Sequence, residues 1–121
     1  MTEALLSDLR TQYGDAAVAT RRVGTSTLVR VGPVPIPQRE NVTTEVLLDV
    51  VDGFRQSGAR PTLYVRDGTV QPNGHRGRNV NPTLVHGENW LSFSWAFDWH
   101  VSQPAWVLVE GALRRFAIND G

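Results

Sequence analysis

The sequence predicts an α+β domain, an antiparallel β-meander of about four strands with one helix before it and another after it. Three observations predict this. Residues Thr43–Val51 alternate with a period of two, and apolar residues recur at helical spacing near both ends. A length of 121 residues, 40% hydrophobic and 20% charged, makes one domain able to bury a core. The expected parts are a helix over 3–13, a meander over 15–66, a loop over 67–89, an aromatic segment over 90–100 and a helix over 104–117.

Leu5, Leu6, Leu9 and Tyr13 share one helical face, with Thr2 as N-cap and Gly14 suited to the left-handed residue that ends helices. Thr27–Val31 reads as a strand after a weaker β pattern from Asp15 to Val23. Pro33, Pro35 and Pro37 cannot donate ladder bonds, which places 33–37 on an extended edge. In Thr43–Val51, Val46, Leu48 and Val50 face one way while Glu45, Leu47, Asp49 and Val51 face the other. Turn signals at Asp52-Gly53 and Ser57-Gly58 lead to a short strand at Pro61–Val65, ended by Asp67-Gly68.

Residues 67–89 are punctuated by Gly, Pro and Asn, and a stretch of that length without structure of its own points to function or a lid. Leu91, Phe93, Trp95, Phe97 and Trp99 then alternate as a strand, a reading that ranks ahead of a helix with Leu91, Trp95 and Trp99 on one face. Ser102 caps the last helix and Pro104 sits in its first turn, with Trp106, Val109, Leu113 and Phe116 as its apolar stripe. Trp95 and Trp106 are expected in the core, and one of Trp90 or Trp99 on a binding face.

Twelve cations balance twelve anions, so whole-molecule electrostatics give no steering toward nucleic acid or an anionic membrane. All the cations are Arg, and there is no Lys and no Cys. Thiolate nucleophiles, thioesters, disulfides, Cys-type zinc sites and Schiff bases are thereby excluded. No signal peptide or membrane-spanning stretch is legible, which gives a cytoplasmic expectation. No nucleotide fingerprint, nucleophile elbow or paired-Glu signature calls for a cofactor.

Three constellations remain. Asp98 and His100 would point to one face of a strand and, with His86 or His75, could serve as an acid/base or metal group; the bland reading is local capping. Gly74-His75-Arg76-Gly77-Arg78-Asn79 is a basic glycine loop whose guanidinium forks suit phosphate or carboxylate, or else a solvated loop tip. The four Trp could stack a ligand, but more often such residues fill a core.

The order of elements resembles the ubiquitin-conjugating (E2/RWD) superfamily. The likeness is carried by Glu45–Phe54 followed by Arg60–Val65, by Val31–Pro37 upstream, and by the Trp- and Ser-rich Trp90–Trp99, which is similar to prokaryotic E2 family E. The resemblance implies a UBC-like fold and, as partners, a ubiquitin-like protein or an E1-like activating enzyme. Gln71-Pro72-Asn73 stands where the family has His-Pro-Asn, and Asn79-Val80-Asn81 occupies the region of its thioester cysteine. Either the chain is a non-catalytic E2-like adaptor in a bacterial conjugation or defence system, or its cysteine has been exchanged for another residue.

On that reading the docking residues are Arg10 on the first helix and the turns at Phe54 and Pro104, with Arg76 and Arg78 in the basic loop. Phe54 is either an anchor or a plug for the core. Two other classes stay open: a small enzyme using His86, Asp98 and His100 in a groove, and an interaction or oligomerisation module with no link to ubiquitin-like proteins.

Overall fold

The computed structural model describes residues 2–54, 60–93, 99–100 and 102–119. Helix α1 (Thr2–Tyr13) and a 3₁₀ turn (Asp15–Ala17) lead into β1 (Val18–Val23), β2 (Ser26–Pro35), β3 (Thr43–Val51) and β4 (Thr62–Arg66). Strands β5 (Val80–Val85) and β6 (Glu88–Phe93) follow, then helix α2 (Ala105–Leu113) and a second 3₁₀ turn (Arg114–Phe116). The strands form one six-stranded sheet in the order β1-β2-β3-β4-β6-β5, with every neighbouring pair antiparallel. This corrects the expected fold class. The chain is a mostly-β, six-stranded antiparallel sheet with two short helices, not a four-stranded α+β domain of UBC-like plan.

The difference arises in 67–89, expected to be loop. Its second half is the β5–β6 hairpin, closed by His86 and Gly87, both at positive φ (48° and 85°). Two consecutive positive-φ residues form the type I′ turn whose twist matches a hairpin. A His in the first of these positions conceals the turn from sequence, and Pro82 looks like a breaker although β5 is an edge strand that tolerates it.

Strand β3 explains the layers. Val46, Leu48 and Val50 meet Val31, Val29, Leu63 and Val65 on the inner face, which Leu5 and Leu9 of α1 and Leu108, Val109, Ala112 and Leu113 of α2 cover. Phe93 meets Phe116 edge-on, ring centroids 5.3 Å apart. Leu47 points the other way and is also buried, in a second cluster with Leu28, Val85 and Trp90. The β5–β6 hairpin covers this outer face. It pairs with β4 only at Val65–Leu91 and Arg66–Trp90, and then Glu88 reaches Arg30 on β2, beyond both β4 and β3. Trp90 lies under that cover, 2% exposed, with the Arg30 guanidinium 5.3 Å from its ring centre.

Several expectations hold. Gly14 ends α1 at φ 94°, its N–H donating to the Arg10 carbonyl. Pro33 and Pro35 lie past the end of β1, which stops opposite Val31, so only β3 flanks them. The α2 stripe differs, because the helix buries Ala105, Leu108, Val109, Ala112 and Leu113 and leaves Trp106 partly exposed. The expected Ser102 cap is replaced by Pro104 at the N-cap position and by Asp8 of α1, whose Oδ2 accepts from the Ala105 N–H at 3.2 Å. Trp95, Asp98 and the Ser57-Gly58 turn lie outside the described residues. Among those described, no helix is long and apolar enough to cross a membrane.

Phe116→Ala should cost about 3–5 kcal/mol, the range for emptying a buried aromatic site. Trp106→Ala should cost distinctly less, and paired urea melts giving the reverse order would refute the orientation of α2. At the sheet edge, both Arg22 guanidinium nitrogens bind the Asp52 carboxylate, and that hydrogen bonding holds the carboxyl below its ordinary value. A depressed carboxyl stabilises the fold above its unfolded-state pKa and loses that contribution as pH falls through the folded value. Asp52→Asn should therefore lower Tm slightly at pH 7 and leave it unchanged near pH 2.

Candidate functional site: an arginine-rich crossover

Strands β4 and β5 both pair antiparallel with β6 between them, so they run parallel to each other. A parallel connection must return along the strand length, which takes a dozen or more residues. Residues 67–79 make that crossover, and hydrogen bonds at Gln71, Asn73 and Arg78 tie it to Arg115 and Asn119, which follow α2.

The crossover is held by polar groups. Thr44, Thr69 and Gln71 are the buried polar side chains among the described residues, and all three serve it. Thr69 Oγ1 donates to the Arg66 carbonyl at 2.7 Å and lies 2.7 Å from Thr44 Oγ1. A hydroxyl has a single proton, so Thr44 is the donor in that pair. Gln71, 1% exposed, donates Nε2–H to the Arg115 carbonyl at 3.0 Å and its backbone N–H to the His75 carbonyl at 2.7 Å. The Asn73 N–H donates to Asn119 Oδ1 at 2.8 Å. Gly77 closes against this group at φ 99°, where an added Cβ would lie 2.5 Å from Gln71 Nε2.

The anchoring gathers arginines distant in sequence. Arg39 donates from Nη1 to the carbonyls of Val70 (2.6 Å) and Phe116 (3.2 Å). Arg115 donates to the Arg78 carbonyl. Arg76 and Arg78 are exposed on the crossover, and Arg114 is exposed where α2 ends. Arg39, Arg76 and Arg114 have no carboxylate partner among the described residues. Ile118, 63% exposed, stands at the same end.

The outer-face groove differs. Lined by Ala19, Arg21, Leu28, Arg30, Leu47 and Glu88, it encloses about 160 Å³. Its central cation is already satisfied, as Arg30 pairs with Glu88 and approaches Glu45 at 3.8 Å.

The other expected site residues fall apart. Arg10 is exposed on α1, and Pro104 is exposed with its carbonyl accepting from Trp99 Nε1 at 3.1 Å. Phe54 is 4% exposed inside the main core, which makes it the plug and not the anchor. Asn81 lies on β5 opposite Ser92, in a strand rather than a loop. His86 turns the hairpin that covers the outer face, whereas His100 sits before α2 on the inner side, with Nδ1 2.8 Å from Ser102 Oγ. These two histidines are not brought together, and Asp98 lies outside the described residues. No group of three His, Cys, Asp or Glu among those described could hold a metal ion. Sequence reading found Arg76 and Arg78 and missed Arg39, Arg114 and Arg115, because nothing local marks residues more than 30 positions apart as neighbours.

Fold and site together define a mostly-β domain with a preorganised cationic end. No known protein family, curated protein or solved structure matches the chain.

Gly77→Ala should strain the left-handed backbone and push on Gln71. We expect amide exchange in residues 71–79 to rise at least tenfold, about 1.4 kcal/mol of local opening, with β3 exchange unchanged. Equal acceleration in β3 would mean that the crossover is not an independent unit.

Proposed function

We propose that this chain is a non-catalytic binding module that docks a partner protein through the arginine-rich crossover. One observation carries the reading: buried Thr44, Thr69 and Gln71 all fix one exposed, arginine-bearing segment. Burying polar groups costs free energy unless each is paired, and a crossover with no task could be held by apolar contacts. Rigid presentation of surface side chains lowers the entropy lost on binding. The chemistry gathered there binds and orients. A guanidinium stays protonated and cannot shuttle protons, and a chain without Cys carries no thioester.

The test is selection of displayed peptides on the folded chain, with a ubiquitin-like protein and an E1-like activating enzyme assayed beside them as the partners the sequence resemblance implies. The expected result is at least one ligand whose binding is lost in the Arg76→Gln/Arg114→Gln variant. Failure to recover any ligand, or ligands indifferent to that variant, would overturn the reading.

A further inference from the structure

We infer that the arginine-rich crossover takes an acidic segment of its partner, one carrying an apolar residue among its carboxylates. The inference rests on the proposed docking role and names the chemistry of the occupant. Arg39, Arg76 and Arg114 lack carboxylate partners among the described residues, while the molecule as a whole is neutral. Positive charge concentrated at one end of a neutral chain attracts a complementary anion at short range. Guanidinium forks match planar carboxylates bidentately, which gives orientation as well as charge.

Arg39 supplies a fixed point of that charge. Its Nη1 is held by the Val70 and Phe116 carbonyls, and the bond to Phe116 sets it beside the turn that carries Arg114. Arg76 lies between Gly74 and Gly77 on the segment that Gln71 fastens to Arg115. The apolar requirement comes from Ile118, one of three large apolar side chains exposed among the described residues and the one next to this cluster. An exposed aliphatic side chain four residues past Arg114 favours a segment that mixes carboxylates with one apolar anchor.

A nucleic acid would also meet the arginines, but the described part of this end offers no exposed Phe, Tyr or Trp ring for base stacking, only the His75 imidazole. Phe93 and Phe116 pack against each other beneath it, and Trp90 lies under the hairpin on the other face.

The experiment measures fluorescence anisotropy with three labelled probes on the full chain: a peptide of alternating Glu and Asp with a central Leu, the same peptide with Gln and Asn for the acids, and a single-stranded oligonucleotide of similar length. The acidic peptide should bind, and the neutral one should bind at least tenfold more weakly. Arg76→Gln/Arg114→Gln should weaken the acidic peptide at least tenfold. Ile118→Ser should weaken it severalfold and do so independently of salt. These side chains are exposed, and an unchanged far-UV spectrum and Tm confirm that the variants fold.

Equal binding of the acidic and neutral peptides, indifference to the arginine pair, or tighter oligonucleotide binding with the same arginine dependence would each overturn the acidic partner. A displayed ligand without acids that still needs Arg76 and Arg114 would leave the docking role standing and remove only this inference. Absence of every ligand would remove both.

Discussion

Strand β3 buries Val46, Leu48 and Val50 on one face and Leu47 on the other, and the rest of the architecture follows from that constraint. Val46, Leu48 and Val50 must be covered on one side and Leu47 on the other. A strand buried twice needs three layers, and a chain of 121 residues has only two short helices to offer. They cover the inner face. The outer face is closed by the sheet itself, with the β5–β6 hairpin parting from β4 after two residue pairs and bringing Trp90 over Leu47. To let β6 pair with β4, the chain must first travel past it to β5. That detour is the crossover, so the arginine-rich end is a by-product of covering Leu47.

Much of this was legible in the sequence where a single periodicity ruled. Helix α1, the Thr43–Val51 alternation and the exit at Pro33–Pro35 are set by local sterics and by one apolar face. The hairpin was hidden because its signals conflict: Pro82 and Gly87 read as breakers, and His86 takes a left-handed backbone more familiar in Asn. Trp106 misled through its size. It shares the spacing of Val109 and Leu113, but the buried face of α2 is centred on Ala105, Leu108 and Ala112, and the two alanines there let the helix approach its neighbours closely. The UBC-like plan implied by the resemblance to the ubiquitin-conjugating superfamily is overturned by the two added strands, β5 and β6.

The candidate site was legible only in part. Gly74 to Asn79 declares itself as a basic glycine loop, but its order does not. What fixes it is Gln71, a polar residue that composition would assign to solvent, meeting a carbonyl 44 residues later. The remaining arginines arrive with α2 and with the turn after β2. Sequence separation conceals such groupings, because helix end and turn are brought together only by the sheet lying between them.

The bonds from Gln71 to Arg115 and from Asn73 to Asn119 have a mechanical side. They clasp the crossover to the turn that follows α2, in contacts outside every strand ladder. A load drawing residues 115–119 away from the sheet would part the Asn73 bond and then the Gln71 bond, slackening the crossover while all five strand pairings still hold. The cationic end is thus geared to the chain's last turn, and tension there would be felt as a change of shape in the crossover before it was felt as unfolding.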